Sequence, residues 1–214
     1  MPTSEQILNS LHQISNAWQV LAIIWHVYFG VLAGILLVGN RPSPRMVGVL
    51  LAMPLLSVSG IAWASMNPFT GIVFALAGIA LVMISNRLPG DHVQLAPAWA
   101  MVVGTGMIVF GWVYPHFLDT ASFLPYLYSA PTGLIPCPTL SIVIGIALIL
   151  GGLGSRLWSL VLGATGVFYA FFGAIRLGVT IDWILLAGSL AIILMALSHT
   201  SDRRTQRSTT MQIS

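Results

Sequence analysis

The chain of 214 residues has a composition that excludes a soluble globular protein. Hydrophobic residues make up 57% of it and charged residues only 6%, whereas a soluble domain carries about 25% charged residues and must present a wettable surface. The sequence therefore predicts an all-helical, polytopic integral membrane protein. The net charge of +3 does not indicate nucleic-acid binding, because the arginines are scattered rather than gathered in a patch.

The first sixteen residues predict a short amphipathic helix. Ile7, Leu8, Leu11 and Ile14 recur at helical spacing with polar residues between them, a pattern typical of a helix that lies in a membrane interface. The segment has neither the basic n-region nor the apolar h-region of a signal peptide. We therefore expect residues 1–16 to form an interfacial N-terminal segment on the outer face.

Residues 17–200 predict a transmembrane domain, because they contain seven apolar runs that meet or approach the roughly 20 residues needed to cross a bilayer. The runs cover residues 18–39, 46–65, 70–85, 98–114, 134–152, 157–177 and 181–198. The connection 115–133 is interrupted by three prolines, which predicts an interfacial or re-entrant segment. Residues 201–214 are polar and rich in Arg, which predicts a disordered tail.

The arginines predict the orientation of this bundle of seven transmembrane helices. When the seven runs are laid out alternately, seven of the eight arginines fall on one side and only Arg176 falls on the other. Cytoplasmic loops carry the excess of basic residues. The N-terminus is therefore predicted outside and the C-terminal tail in the cytoplasm.

The sharpest local feature is the Pro136-Cys137-Pro138 element at the outer end of the fifth run. Each proline removes a backbone donor, so carbonyls near the only cysteine are expected to lack helical partners. A thiolate beside such carbonyls is the kind of ligand that a soft metal prefers. The alternative is structural, since proline suits the first turn of a helix and cysteine packs as a small apolar residue.

His116 and Asp119 lie on the same outer side, three residues apart, and predict a binding site shared with Cys137. Together these residues would hold a divalent or soft metal ion, or relay a proton. The alternative is a solvated interfacial pair. Arg176 and Asp182 flank the turn before the seventh run, and we interpret them as a structural pair or as side chains that reach the outer surface.

His26 lies near the middle of the first run, at a depth where ionisable side chains are functional hypotheses by default. In the functional interpretation it lines a polar cavity together with hydroxyls such as Ser57, Ser59, Thr105 or Ser141. In the structural interpretation it is a neutral histidine that is hydrogen-bonded to a neighbouring helix.

Residue counts restrict the cofactor. With no lysine in the chain, a retinal Schiff base and a P-loop are both excluded. A single cysteine leaves no intrachain disulfide and no CxxC site. A bis-histidine haem is disfavoured, because every histidine other than His26 falls outside the interiors of the runs. A soft or divalent metal ion is the cofactor that the remaining residues favour.

At Pro136, Cys137, Pro138 and Thr139 the sequence resembles a family of uncharacterised bacterial and archaeal integral membrane proteins, the domain of unknown function numbered 6064. That family has a similar length and helix count, and a Pro-Cys-Pro-Thr motif opens one of its late spans after a long outer loop. The resemblance implies the polytopic architecture and a bacterial cytoplasmic (inner) membrane. It marks Cys137 without naming a reaction, because the family has no assigned activity.

Two functions of different classes follow from the sequence. The first is a small transporter or channel for a metal ion or small solute, supported by His26 and the proline-bounded outer site. The second is a non-catalytic subunit or anchor of a larger complex that holds lipid, quinone or pigment, supported by short loops and small-residue helix seams. An enzyme with Cys137 as nucleophile is least favoured, because the sequence indicates no base beside it. The expected partners are membrane lipids, and other membrane subunits or further copies of this chain.

Overall fold

The structure, a computed structural model, describes residues 3–39 and 41–211, with side chains as far as residue 198. Helix is the dominant regular structure and no strand occurs in these ranges, which confirms the all-helical class. The helices are α1 (Ser4–Ala17), α2 (Gln19–Leu37), α3 (Pro44–Ala64), α4 (Pro68–Ser85), α5 (Ala98–Val113), α6 (Tyr126–Ser129), α7 (Pro136–Ile149), α8 (Arg156–Phe171) and α9 (Trp183–Met211). A π-helical turn (Phe172–Arg176) continues α8, and 3-10 turns occupy Gly151–Gly154 and Thr180–Asp182.

Five helices are long and apolar enough to cross a membrane: α2, α3, α4, α8 with its π turn, and α9 with the turn before it. Their outer surfaces carry large apolar side chains, such as Val20 of α2, Leu76 of α4 and Leu194 of α9, which are 74%, 65% and 63% exposed. Apolar surface spread over many helices is foreign to a soluble monomer. These features identify the chain as a membrane protein.

The remaining two predicted runs form shorter apolar helices. α5 has 16 residues and α7 has 14, so these helices are about 24 Å and 21 Å long. The run 134–152 was expected to be helical throughout, but α7 ends at Ile149. Gly151, Gly152 and Leu153 follow with positive φ, a backbone conformation that a right-handed helix cannot contain.

α7 is the central helix of the bundle. Pro136 and every residue from Pro138 to Leu148 are buried, and α3, α5, α8 and α9 all pack against them. A helix that is apolar on all sides belongs in the interior of a bundle. α7 therefore meets protein, not lipid, along almost its whole length.

The connections between helices gather at two opposite ends of the bundle. At the first, here termed the arginine end, the connections after α2, α4 and α7 meet. Nδ1 of His92 lies 2.6 Å from the Arg41 carbonyl oxygen, and the Ala96 N–H donates to the Ile149 carbonyl at 2.9 Å.

The opposite end, here termed the cavity end, joins α1 to the connections after α5 and α8. The Asn16 side chain donates to the Phe117 carbonyl at 3.1 Å and accepts from the Asp119 N–H at 3.0 Å. The Ser4 hydroxyl donates to the Arg176 carbonyl at 2.8 Å. Helices α2 to α5 and α7 to α9 therefore run alternately between the same two ends.

α1 begins with a capping box, in which Thr3 and Gln6 each bond the backbone of the other. Its apolar residues Leu8, Leu11 and Ile14 pack in one cluster with Phe117 and neighbouring residues of the cavity end. The amphipathic pattern predicts a helix on the membrane interface. In the structure this apolar face instead covers part of the protein itself.

The segment between α5 and α7 is exposed at residues 121–124 and buried from residue 129 to residue 135, just before α7 starts, as a re-entrant segment would be. The segment 201–214 is predicted to be a disordered tail, and the structure describes α9 as far as Met211. Residues 212–214 lie outside the described ranges.

Candidate functional site

A cavity of about 730 Å³ lies at the cavity end. Its walls are contributed by α1, the end of α3, the start of α4, the start of α7 and the end of α8, and they are mainly apolar. The polar lining residues are Gln6, Ser10, Ser65, Asn67, Thr70, Tyr114, Cys137, Tyr169, Arg176 and Asp182. A mainly apolar pocket of about 300–1,000 Å³ with few polar groups is typical of a small-molecule site.

Three of these polar residues form one buried network. The Tyr114 hydroxyl donates to Oδ1 of Asp182 at 2.8 Å, and the Cys137 thiol donates to Oδ2 at 3.1 Å. Asp182 is only 1% exposed and Tyr114 is fully buried. A carboxylate so deeply buried requires donors on both oxygens, and these two residues supply them from different elements of the fold.

The backbone around Asp182 is shaped for its carboxylate. Gly173, in the π turn after α8, packs directly on Oδ2, and a Cβ atom on Gly173 would overlap that oxygen. The Gly173 carbonyl accepts a hydrogen bond from the Val179 N–H at 2.9 Å, which fixes the turn that leads to Asp182. π turns within α-helices occur frequently at functional sites.

Cys137 is positioned by the first turn of α7. Pro136 is the first helical residue and Pro138 follows within the same turn, where no N–H is needed for the helical ladder. The Cys137 carbonyl also accepts from the Ser141 hydroxyl at 2.8 Å, and the Ile135 carbonyl accepts from the Thr139 hydroxyl at 2.7 Å. Side-chain hydroxyls of the first turns therefore add bonds to the start of α7.

Tyr169 of α8 contributes a further polar group to the cavity lining. Its ring packs against Phe74 with the centroids 5.0 Å apart, and the residue is 2% exposed. Its hydroxyl lies beside that of Thr70, another lining residue, without a hydrogen bond of standard geometry.

The predicted cluster of Cys137, His116 and Asp119 does not form a metal site. Asp119 is exposed and lies 3.7 Å from Nδ1 of His12, while His116 faces the same His12 with ring centroids 6.3 Å apart. Burial, and secondarily the neighbouring His12, lower the pKa of His116. Cys137 instead bonds to Asp182. No group of three His, Cys, Asp or Glu residues suited to a metal ion occurs in the described part of the chain.

Asp182 and Tyr114 are the site residues that sequence reasoning missed. Its place in the sequence predicts a pair with Arg176 or a side chain at the surface, yet the carboxylate points inward to Tyr114 and Cys137. Arg176 donates instead to the Ser4 hydroxyl at 2.5 Å. One signal was present: the alternating layout of the runs assigns Tyr114, Cys137 and Asp182 to the same end.

His26 lies in a seam between α2 and α5 and does not belong to the cavity lining. It is 4% exposed, and its Nε2 lies 3.0 Å from the Trp112 carbonyl oxygen, while Nδ1 lies 2.8 Å from that of Ala22. The four expected hydroxyl neighbours bond elsewhere. Their acceptors are the carbonyls of Gly133 for Ser57, Gly71 for Ser59, Met101 for Thr105 and Cys137 for Ser141.

The placement of His26 favours its structural interpretation. Trp112 belongs to the last turn of α5, where carbonyls have no partner within the helix. With a proton on Nε2, His26 supplies that partner from α2. We expect His26→Leu to lose about 1 kcal/mol of stability and to leave ligand binding in the cavity unchanged.

Thermal unfolding in detergent measures the stability change, with Val27→Leu as control because Val27 is 61% exposed on the same helix. Loss of ligand binding at an unchanged melting temperature would instead support the functional interpretation of His26.

Comparison with known proteins adds no name to this site, because no family profile, no curated protein and no solved structure matches the chain.

Proposed function

We propose that this membrane protein binds a small apolar or amphipathic molecule, such as a lipid or a quinone, in the cavity at its cavity end. The observation that carries the proposal is the cavity itself, about 730 Å³ in volume, with polar groups converging on Asp182. Apolar walls with a few placed polar groups are the general design of small-molecule sites.

We also propose that seven helices cross the bacterial cytoplasmic membrane with the cavity end outside. The alternation of α2 to α5 and α7 to α9 between two ends supports this count. Arg41, Arg45, Arg87 and Arg156 lie in or beside connections of the arginine end, and Arg176 lies at the cavity end. The excess of basic residues belongs on the cytoplasmic side.

The packing around α7 favours a binding function over conduction. Leu140, Val143, Ala147 and Leu148 of α7 are all 0% exposed and belong to one continuous apolar core. A conducted ion or solute would need a polar or wet path at this depth. Transport through the middle of the bundle would therefore require the core to repack, whereas binding at the cavity end does not.

This function corresponds to the class of non-catalytic membrane subunits that hold lipid, quinone or pigment. It is compatible with membership of the family that the Pro-Cys-Pro-Thr motif resembles. The apolar outer surface leaves room for partner subunits or further copies of this chain, and the proposal does not depend on them.

The test is the binding of a neutral apolar fluorophore, N-phenyl-1-naphthylamine, to the purified protein in detergent. We expect saturable binding to the wild type that Ser65→Trp abolishes, because Ser65 lines the cavity and a bulky ring there would fill it. Ala64→Trp is the matched control, since Ala64 is the exposed neighbour of Ser65 and does not line the cavity.

Equal binding by the two tryptophan variants would place the fluorophore elsewhere and would contradict the proposal. Absence of saturable binding to the folded wild type would do the same. Mass spectrometry of molecules that co-purify with the wild type and are lost from Ser65→Trp would identify the natural occupant.

A further inference from the structure

We propose that the molecule bound in this cavity is a lipophilic cation, whose positive group is attracted by the buried carboxylate of Asp182. This inference rests on the proposed function and names the charge of its ligand. It follows from the charge balance, the shape and the walls of the cavity.

The negative charge of Asp182 has no positive partner among the groups that bond it. Asp182 is 1% exposed and receives two hydrogen bonds, and both donors, the Tyr114 hydroxyl and the Cys137 thiol, are neutral groups. Among the described residues, no cationic group lies within ion-pair distance of Asp182. The ion-pair contact that the structure contains joins His12 to Asp119 instead. Neutral donors hold the carboxylate oxygens but leave the negative charge uncompensated. A buried charge normally has a partner of opposite sign.

The walls of the cavity suit an organic cation. Tyr114, Phe117, Tyr169 and Phe172 place aromatic rings around the lining, and the faces of such rings attract positive charge. The hydroxyls of Tyr169 and Thr70 add further oxygens to the same lining. A bare metal ion would need a set of several ligands, and the described residues offer no such group.

Arg176, the basic residue of the lining, does not pair with the carboxylate of Asp182. Arg176 is exposed, and its guanidinium donates to the Ser4 hydroxyl of α1 at the rim of the cavity. Water and salt screen a charge at such a position, whereas the carboxylate of Asp182 is shielded from solvent. The charge of Asp182 is therefore screened less than the charge of Arg176.

The experiment compares tetraphenylphosphonium with tetraphenylborate, two ions of nearly the same size and apolar surface but opposite charge. Each is titrated against bound N-phenyl-1-naphthylamine in the wild type, with protein-free micelles as the blank. We expect tetraphenylphosphonium to displace the fluorophore at a concentration at least tenfold lower than tetraphenylborate. In Asp182→Asn this preference should disappear, and in Asp182→Glu it should be retained.

The two proposals fail in different ways. If the fluorophore binds the wild type and not Ser65→Trp, but the two ions displace it equally, the cavity is a binding site and the charge inference is overturned. If the fluorophore does not bind the wild type, the binding function itself fails. The comparison of the two ions in the wild type requires no variant, so it decides the inference even if Asp182→Asn does not fold. A tetraphenylphosphonium preference that persists in folded Asp182→Asn would also overturn it.

Discussion

Replacing Gly104 by alanine should lower the melting temperature of the protein by about 4–8 °C, which corresponds to about 2 kcal/mol of lost stability. Gly104 lies on α5 where this helix meets the central helix α7. A Cβ atom on Gly104 would come within 2.6 Å of the Gly145 carbonyl oxygen and 2.8 Å of the Ile149 side chain. The first of these is a backbone atom that cannot move aside, so the two helices must separate.

The matched control is Gly106→Ala on the same helix. Gly106 is exposed, and a Cβ atom there meets nothing within 4 Å. Because alanine is a better helix former than glycine, this variant should keep or slightly raise the melting temperature. If Gly104→Ala and Gly106→Ala unfold at the same temperature, the close approach of α5 and α7 is not real.

Replacing Gly173 by alanine should destabilise the protein and weaken binding of tetraphenylphosphonium at least tenfold. The new methyl group would overlap Oδ2 of Asp182 and push the carboxylate away from the Tyr114 hydroxyl and the Cys137 thiol. Buried donors that lose their acceptor cost about 1–3 kcal/mol. Thermal unfolding and displacement of the fluorophore measure the two effects.

A double-mutant cycle identifies the cause of the Gly173→Ala effect. In an Asp182→Ala background the overlapping oxygen is absent, so the added methyl group should be tolerated, and the two changes should couple by about 1–2 kcal/mol. Gly34→Ala is the control for a glycine-to-alanine change in a helix, since a Cβ atom at Gly34 meets nothing within 4 Å. Additive effects of Gly173→Ala and Asp182→Ala would contradict the contact between Gly173 and the carboxylate.

The sequence predicts the helices better than their ends. The run 18–39 corresponds closely to α2 (Gln19–Leu37). A long apolar stretch must be buried in lipid or protein, so its extent predicts the extent of the helix. The run 134–152 exceeds α7 at both ends, since apolar glycine and leucine residues after Ile149 form a left-handed turn that hydropathy does not distinguish from helix. Composition also does not reveal which apolar helix is enclosed by the others.

The candidate site is predicted only in part, for a reason of distance along the chain. Cys137 stands out by its flanking prolines, but its partner Asp182 is 45 residues away and Tyr114 is 68 residues from Asp182. Asp182 has a basic residue, Arg176, close by in sequence, and proximity favours a local pair. The packing between distant segments decides which helices are neighbours. A periodic pattern within one segment does not predict these neighbours.

The enclosure of α7 has a consequence for how the chain is assembled. A helix of 14 residues does not cover the roughly 30 Å hydrocarbon core by itself, so in lipid alone its end groups would remain inadequately solvated. Thr139 in its first turn bonds within its own segment, but the Cys137 thiol meets its acceptor only when Asp182, before α9, is in place. The settled position of α7 therefore depends on segments that precede it and on segments that follow it in the chain.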